Sequence, residues 1–140
     1  CGYPGMKVLS FGFGGNHDEN PHYPSFYGEN SVVYTGTHDN DTVIGWCTTA
    51  DEDSLADAKA TLGFTEIKDA PDAFIEKIFA SECRLAVIPM QDLLGLDGSA
   101  RMNLPGSVGG NWLWRLKPGQ LNQVIESKLL SLNETYHRKG

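Results

Sequence analysis

Three short apolar blocks limit what this chain can fold into: residues 6–13, 31–37 and 84–89, the last two centred on Val32-Val33-Tyr34 and Leu85-Ala86-Val87-Ile88. Each is near-continuous rather than alternating, the pattern of a strand covered on both faces. Helical stretches lie between and after them. Asp51-Glu52-Asp53 supply the acids of a first turn ahead of Leu55, Ala58 and Leu62, with Gly63 at the stop position. Asp69 and Pro71 open a second helix, whose Phe74, Ile75, Ile78 and Phe79 share one face. Lys117-Pro118-Gly119 precede a last one, striped by Leu121, Val124, Ile125, Leu129 and Leu132. This alternation predicts an α/β fold of βα units: three parallel, neighbouring strands with helices on the outer face.

Two long segments, residues 14–30 and 95–110, each follow a strand and are rich in Gly, Asn, Pro and Asp. Long loops in compact domains are often functional, and in a (β/α)8 barrel the loops after the strands build the active site. The 140 residues suit one domain, and 40% hydrophobic residues are enough for a core. A net charge of −7 argues against nucleic acid or an anionic membrane as partner, since both need a basic face. No apolar run approaches the ~20 residues of a membrane span. Three irregularly spaced cysteines, Cys1, Cys47 and Cys83, form neither a disulfide framework nor a zinc pattern, so a reducing compartment such as the cytoplasm is expected. No signal peptide is visible at the start. The first strand begins almost at once after Cys1, which reads as a fragment of something longer.

Chemistry concentrates in Tyr34-Thr35-Gly36-Thr37-His38-Asp39-Asn40-Asp41-Thr42, where an apolar strand gives way to crowded polar groups. Three readings compete. Asp39 or Asp41 can cap a helix beginning near Thr42, a role expected first of Asp41. His38, Asp39 and Asp41 can be metal ligands, although three so close on one segment cannot surround an ion unaided. Or His38 and Asp39 can grip a polyhydroxylated substrate, with a carboxylate also stabilising an oxocarbenium-like transition state.

Five blocks in order extend nearly from end to end of the chain. They are Gly2-Tyr3-Pro4-Gly5-Met6-Lys7-Val8-Leu9; residues 29–42 with Gly45-Trp46; Pro89-Met90-Gln91-Asp92-Leu93-Leu94-Gly95-Leu96; Arg101-Met102-Asn103-Leu104-Pro105-Gly106; and Gly110-Asn111-Trp112-Leu113-Trp114-Arg115. Together they resemble the 4-α-glucanotransferases of glycoside hydrolase family 77. The resemblance implies that residues 1–140 are the C-terminal portion of a (β/α)8 TIM barrel, about three βα units like strands six to eight, without a separate second domain. It implies transfer of α-1,4-glucan segments between maltooligosaccharides, with no metal or other cofactor, in the cytoplasm or, in a plant, the plastid.

On the family's pattern Asp39 matches the transition-state stabiliser and His38 the adjacent sugar-binding histidine, while Asn103 and Pro105 match a loop beside the donor sugar. Alone, Asn-Leu-Pro-Gly is simply a turn. The family's nucleophilic Asp and acid/base Glu belong to earlier strands and are not matched here. A non-catalytic oligosaccharide-binding module, inactive alone, is therefore the alternative, and open barrel edges would favour self-association. Gln91 and Asp92 either face the site or cap the next turn. Of Trp46, Trp112 and Trp114, core packing is expected for all but one at most. His17, His22 and His137 are expected to face solvent, and Cys47 and Cys83 to be buried, unreactive thiols.

Overall fold

The computed structural model describes residues 2–138, so Cys1 lies outside the described residues. Three strands, β1 (Gly5–Val8), β2 (Ser31–Tyr34) and β3 (Leu85–Val87), form one sheet in the order β1-β2-β3. Both pairings are parallel, with Gly5 opposite Ser31 and Val32 opposite Leu85. The expected α/β arrangement of three neighbouring parallel strands is what the chain adopts.

Five helices follow the strands: α1 (Val43–Thr49), α2 (Glu52–Leu62), α3 (Ala70–Phe79), α4 (Met90–Leu93) and α5 (Gln123–Thr135). Their ends obey local chemistry. Asp51 accepts from the Ser54 N–H at 2.8 Å to start α2, and Gly63 ends it at φ 78°, where a side chain would be strained. Pro71 sits in the first turn of α3, where its missing N–H is not needed. Asn122 caps α5 through the N–H groups of Val124 and Ile125.

The core lies between the outer face of the sheet and these helices. Val33 from β2 meets Val43 and Cys47 of α1, Ala58 of α2, and Phe74, Ile75 and Ile78 of α3, all buried. Aromatic rings close one end: Phe13, Trp46 and Phe74 lie 5.6–5.7 Å from one another, tilted or edge-on.

Two expectations need correction. The first block does not run as a strand to residue 13. The chain leaves the sheet after Val8 into a 3-10 turn, Leu9–Phe11, and Phe13 swings into the core. Gly12 passes so close to the His22 carbonyl that a Cβ there would stand 2.8 Å from its oxygen. Periodicity registers only that these residues are apolar, and an apolar turn scores like a strand. Nor is the sheet covered on both faces. Side chains alternate along a strand, so Met6, Val8, Val32, Tyr34, Leu85 and Val87 share the face opposite the helices, with Val8 buried and Val32, Tyr34 and Val87 half-buried. Met6 and Leu85 are each 53% exposed there.

Candidate functional site

The loop between β2 and α1 is fixed at both ends by one carboxylate. Asp92, in α4 after β3, is 2% exposed. Its Oδ2 accepts from the Thr35 hydroxyl at 2.6 Å, and its Oδ1 from the Val43 N–H at 2.8 Å. Burial raises its pKa above the usual carboxylate range, the two hydrogen bonds oppose that, and the neighbouring charge of Asp41 adds to the rise. Gln91 beside it donates to the Ala100 carbonyl at 3.2 Å. Of the two roles open for Gln91 and Asp92, both bind neighbouring backbone while also bordering the site.

Between Thr35 and Val43 the chain makes a tight turn. Asn40 Oδ1 accepts from both the N–H and the hydroxyl of Thr37 at 2.8 Å, and Asp92 and Asn40 together leave the tip little freedom. His38 and Asp39 occupy that tip, their side chains 56% and 49% exposed. His38 Nε2 lies 3.3 Å from Asp39 Oδ1, and Asn103 Nδ2 donates to the same oxygen at 2.6 Å. Trp112 leans over His38 with ring centres 5.0 Å apart. Its backbone is left-handed at φ 62°, costly for a tryptophan, and its N–H is held by the Met102 carbonyl at 2.7 Å.

These groups border a cleft of about 540 Å³. Met6, Tyr34 and Val87 of the sheet face line it, together with His38, Asp39, Asp41, Arg101, Trp112 and the buried Asp92. A half-exposed carboxylate with one oxygen fixed by an amide has its other oxygen free to accept from hydroxyls. The arrangement suits a neutral polyhydroxylated ligand, which needs many directed acceptors over an apolar floor.

Of the residues singled out in the sequence, His38, Asp39 and Asn103 come together through direct contacts. Asn103 reaches the site through Asp39 rather than by lining the cleft wall. Pro105 is exposed on the following turn and is not part of that wall. Asp41 is not the expected cap: Thr42 caps α1, accepting from the Gly45 N–H at 3.1 Å. The Asp41 carboxylate instead packs over Gly45 and Gly98, where a Cβ on Gly45 would collide with it and one on Gly98 would crowd it, and accepts from the Thr42 N–H at 2.8 Å. Among the described residues no three His, Cys, Asp or Glu side chains converge as a metal site would require.

Arg101 escaped the sequence reading. Its Nη2 donates to the Asp39 carbonyl at 2.7 Å and its Nε to the Asn103 carbonyl at 2.9 Å, while Nη1 lies 3.8 Å from Asp41 Oδ2. A signal existed: Arg101 is the one cation in residues 95–110, a loop due to meet an acidic segment.

Two histidines expected in solvent are structural. His17 Nε2 lies 2.6 Å from Asp57 Oδ2, and its ring stacks on Tyr23 at 3.9 Å. His22 Nδ1 accepts from the Val8 N–H at 3.1 Å, and burial, then the Lys7 charge, lower its pKa. His137 is exposed, as expected. Trp46 packs against the core, as expected, whereas Trp112 is exposed at the cleft and Trp114 is half-buried. Cys47 and Cys83 are free and buried, and burial pushes the Cys47 thiol up to about 11.

The family model described as 4-alpha-glucanotransferase matches residues 1–122. The chloroplastic/amyloplastic 4-alpha-glucanotransferase of Arabidopsis thaliana is 49% identical over 115 residues, covering 82% of this chain and 20% of that protein. The 4-alpha-glucanotransferase of Streptococcus pneumoniae serotype 4 is 42% identical over 138 residues, 98% of this chain and 27% of that protein. The solved amylomaltase from Streptococcus agalactiae, in complex with acarbose, superposes with a TM-score of 0.92 at 31% identity, covering 99% of this chain and 28% of that one. This chain thus spans between 20% and 28% of the length of these relatives.

Proposed function

This chain belongs to the 4-alpha-glucanotransferase family, and from that premise we propose that it supplies the transition-state-stabilising side of a glucan-transfer site. Residues 1–140 correspond to the C-terminal βα units of a (β/α)8 barrel, with the cleft over Tyr34 and Val87 as part of the barrel's catalytic mouth. The substrates are α-1,4-glucans and maltooligosaccharides, a class compatible with acarbose in the similar amylomaltase. The site works in the cytoplasm, or in the plastid if the protein is a plant's. No helix among the described residues is long and apolar enough to cross a membrane.

The reaction is a retaining double displacement. A carboxylate nucleophile attacks the anomeric carbon while a general acid protonates the departing glycosidic oxygen, leaving a covalent glycosyl intermediate. The 4-hydroxyl of a second glucan then attacks that carbon, giving its proton to the same acid/base residue, and the nucleophile departs. Both of those groups come from outside the 140 residues. Asp39 remains ionised, opposes the positive charge that develops at the sugar ring in each step and accepts from ring hydroxyls. His38 and Asn103 bind and orient, and Pro105 shapes the loop beside the donor sugar.

The observation that carries this role is the Asp39 carboxylate, half-exposed at the cleft and pinned through one oxygen by Asn103. The test uses the product of the complete gene. Asp39→Asn keeps the shape and most of the hydrogen-bonding capacity but removes the charge, so kcat should fall by about 10²–10³ with melting unchanged. Asp41→Asn still accepts from the Thr42 N–H and costs far less. Equal losses from the two substitutions, or wild-type kcat in Asp39→Asn, would end the role given to Asp39. Assayed alone on maltotriose beside that product, the 140-residue chain shows no disproportionation.

A further inference from the structure

We infer that Arg101 is a positioning residue for this reaction, acting through Asp39. The inference rests on the transition-state role proposed for Asp39 above.

Three guanidinium nitrogens reach three separate anchors. Nη2 donates to the backbone carbonyl of Asp39, Nε donates to the backbone carbonyl of Asn103, and Nη1 faces the Asp41 carboxylate. Asn103 then returns its side-chain amide to Asp39 Oδ1 at 2.6 Å. The result is a closed ring: guanidinium, Asp39 backbone, Asp39 carboxylate, Asn103 amide, Asn103 backbone, guanidinium. It joins two loops that lie 62 residues apart in sequence.

The ring matters because Asp92 and Asn40 hold the backbone of the loop, whereas the Asp39 carboxylate has few restraints of its own. Its side chain is half-exposed, and among the described residues its carboxylate meets only Asn103 and His38. A planar guanidinium fork fixes two acceptors relative to each other, which a lysine ammonium, a point donor on a flexible stem, does not. Without the fork, the Asn103 segment is free to drift from the Asp39 carboxylate that its amide holds. An electrostatic stabiliser then has to be ordered during the reaction rather than before it. A displacement of about 1 Å at a site of this kind costs up to about 10²-fold in rate.

Arg101→Lys keeps the charge and removes the fork. In the complete gene product its kcat falls about 10- to 100-fold while KM changes less than about 3-fold, the split expected when ground-state binding is spared. In an Asp39→Asn background the same substitution lowers kcat by less than about 3-fold, because the charge it would misplace is gone. Wild-type kcat in Arg101→Lys, or the same loss in both backgrounds, overturns the inference. Should Arg101→Lys fail to fold, Arg101→Ala replaces it, with guanidinium or methylammonium added at millimolar concentration. Recovery of kcat with guanidinium and not with methylammonium supports the fork, and recovery with neither or with both equally overturns it. Failure of the underlying role is visible separately, as wild-type kcat in Asp39→Asn alone.

Discussion

Asp92 carries a burden that neither its neighbours nor its position in the sequence made plain. It bridges Thr35 and Val43 from inside the fold, holding the ends of the loop that bears His38 and Asp39. Because burial raises its pKa, the folded protein binds its proton more tightly than the unfolded chain does. The stability this adds is fully present below the unfolded carboxylate value and is lost as pH rises through the folded one. Asp92→Asn offers its amide oxygen to the Val43 N–H and its NH₂ to the Thr35 oxygen, with no charge left to bury. We expect it to melt at or above wild type at pH 7, the gap closing as pH falls toward about 4. Asp92→Ala leaves both partners unpaired and costs about 2–4 kcal/mol. Thermal melts across pH check this, and an Asp92→Asn protein that melts well below wild type at pH 7 would contradict it.

At the scale of elements, the long segment after β1 is ordered by its attachment to α2. Asp57 accepts from the Gly14 N–H at 2.9 Å and pairs with His17, and Thr61 donates to its other oxygen at 3.2 Å. Tyr23, stacked on His17, brings its hydroxyl to within 3.4 Å of Thr61. Burial alone would raise the pKa of Asp57, but the Gly14, His17 and Thr61 contacts together lower it. A lowered pKa gives stability that is present above the unfolded carboxylate value and is lost as pH falls through the folded one. Asp57→Ala should therefore speed hydrogen exchange across residues 14–26 by about 10-fold or more, with α3 unaffected. In acid, once pH has fallen below the lowered folded value of Asp57, the wild-type segment should exchange as fast as the variant's. An unchanged exchange rate in Asp57→Ala would show that the segment is held by other means.

For the whole molecule, the decisive feature is a parallel sheet with one face only partly covered. Parallel strands are ordinarily covered on both sides, yet Met6 and Leu85 are half-exposed, and β1 and β3 are open edges. Taken alone, the 140-residue chain should associate with itself at concentrations of order 100 μM. Replacing Met6 and Leu85 together by Ser should weaken that association, because the two exposed apolar side chains of that face are lost while the helix-facing core is untouched. Light scattering reads both outcomes. A wild-type monomer at that concentration would mean that the partly covered face is tolerated in water.

Local chemistry was enough to identify much of this protein. The acidic start at residues 51–53 and the stop at Gly63 depend on a few adjacent residues, so they were legible, as were the parallel strand cores and the buried cysteines. His38 and Asp39 stood out because polar residues crowd where an apolar strand ends, and the ordered blocks carried the family. What the sequence could not supply was every relation between distant segments. Arg101 meets Asp39 across 62 residues, Asp92 meets Thr35 across 57, and His17 meets Asp57 across 40. Each is a side chain whose partner is chosen by folding, and nothing in its immediate neighbours encodes that choice. The same holds for the cap of α1: Asp41 and Thr42 are both good capping residues, and only the packing of Asp41 over Gly45 and Gly98 leaves Thr42 to do it. Hydrophobic pattern decided which elements form; the three-dimensional path of the backbone decided which polar groups face one another across the cleft.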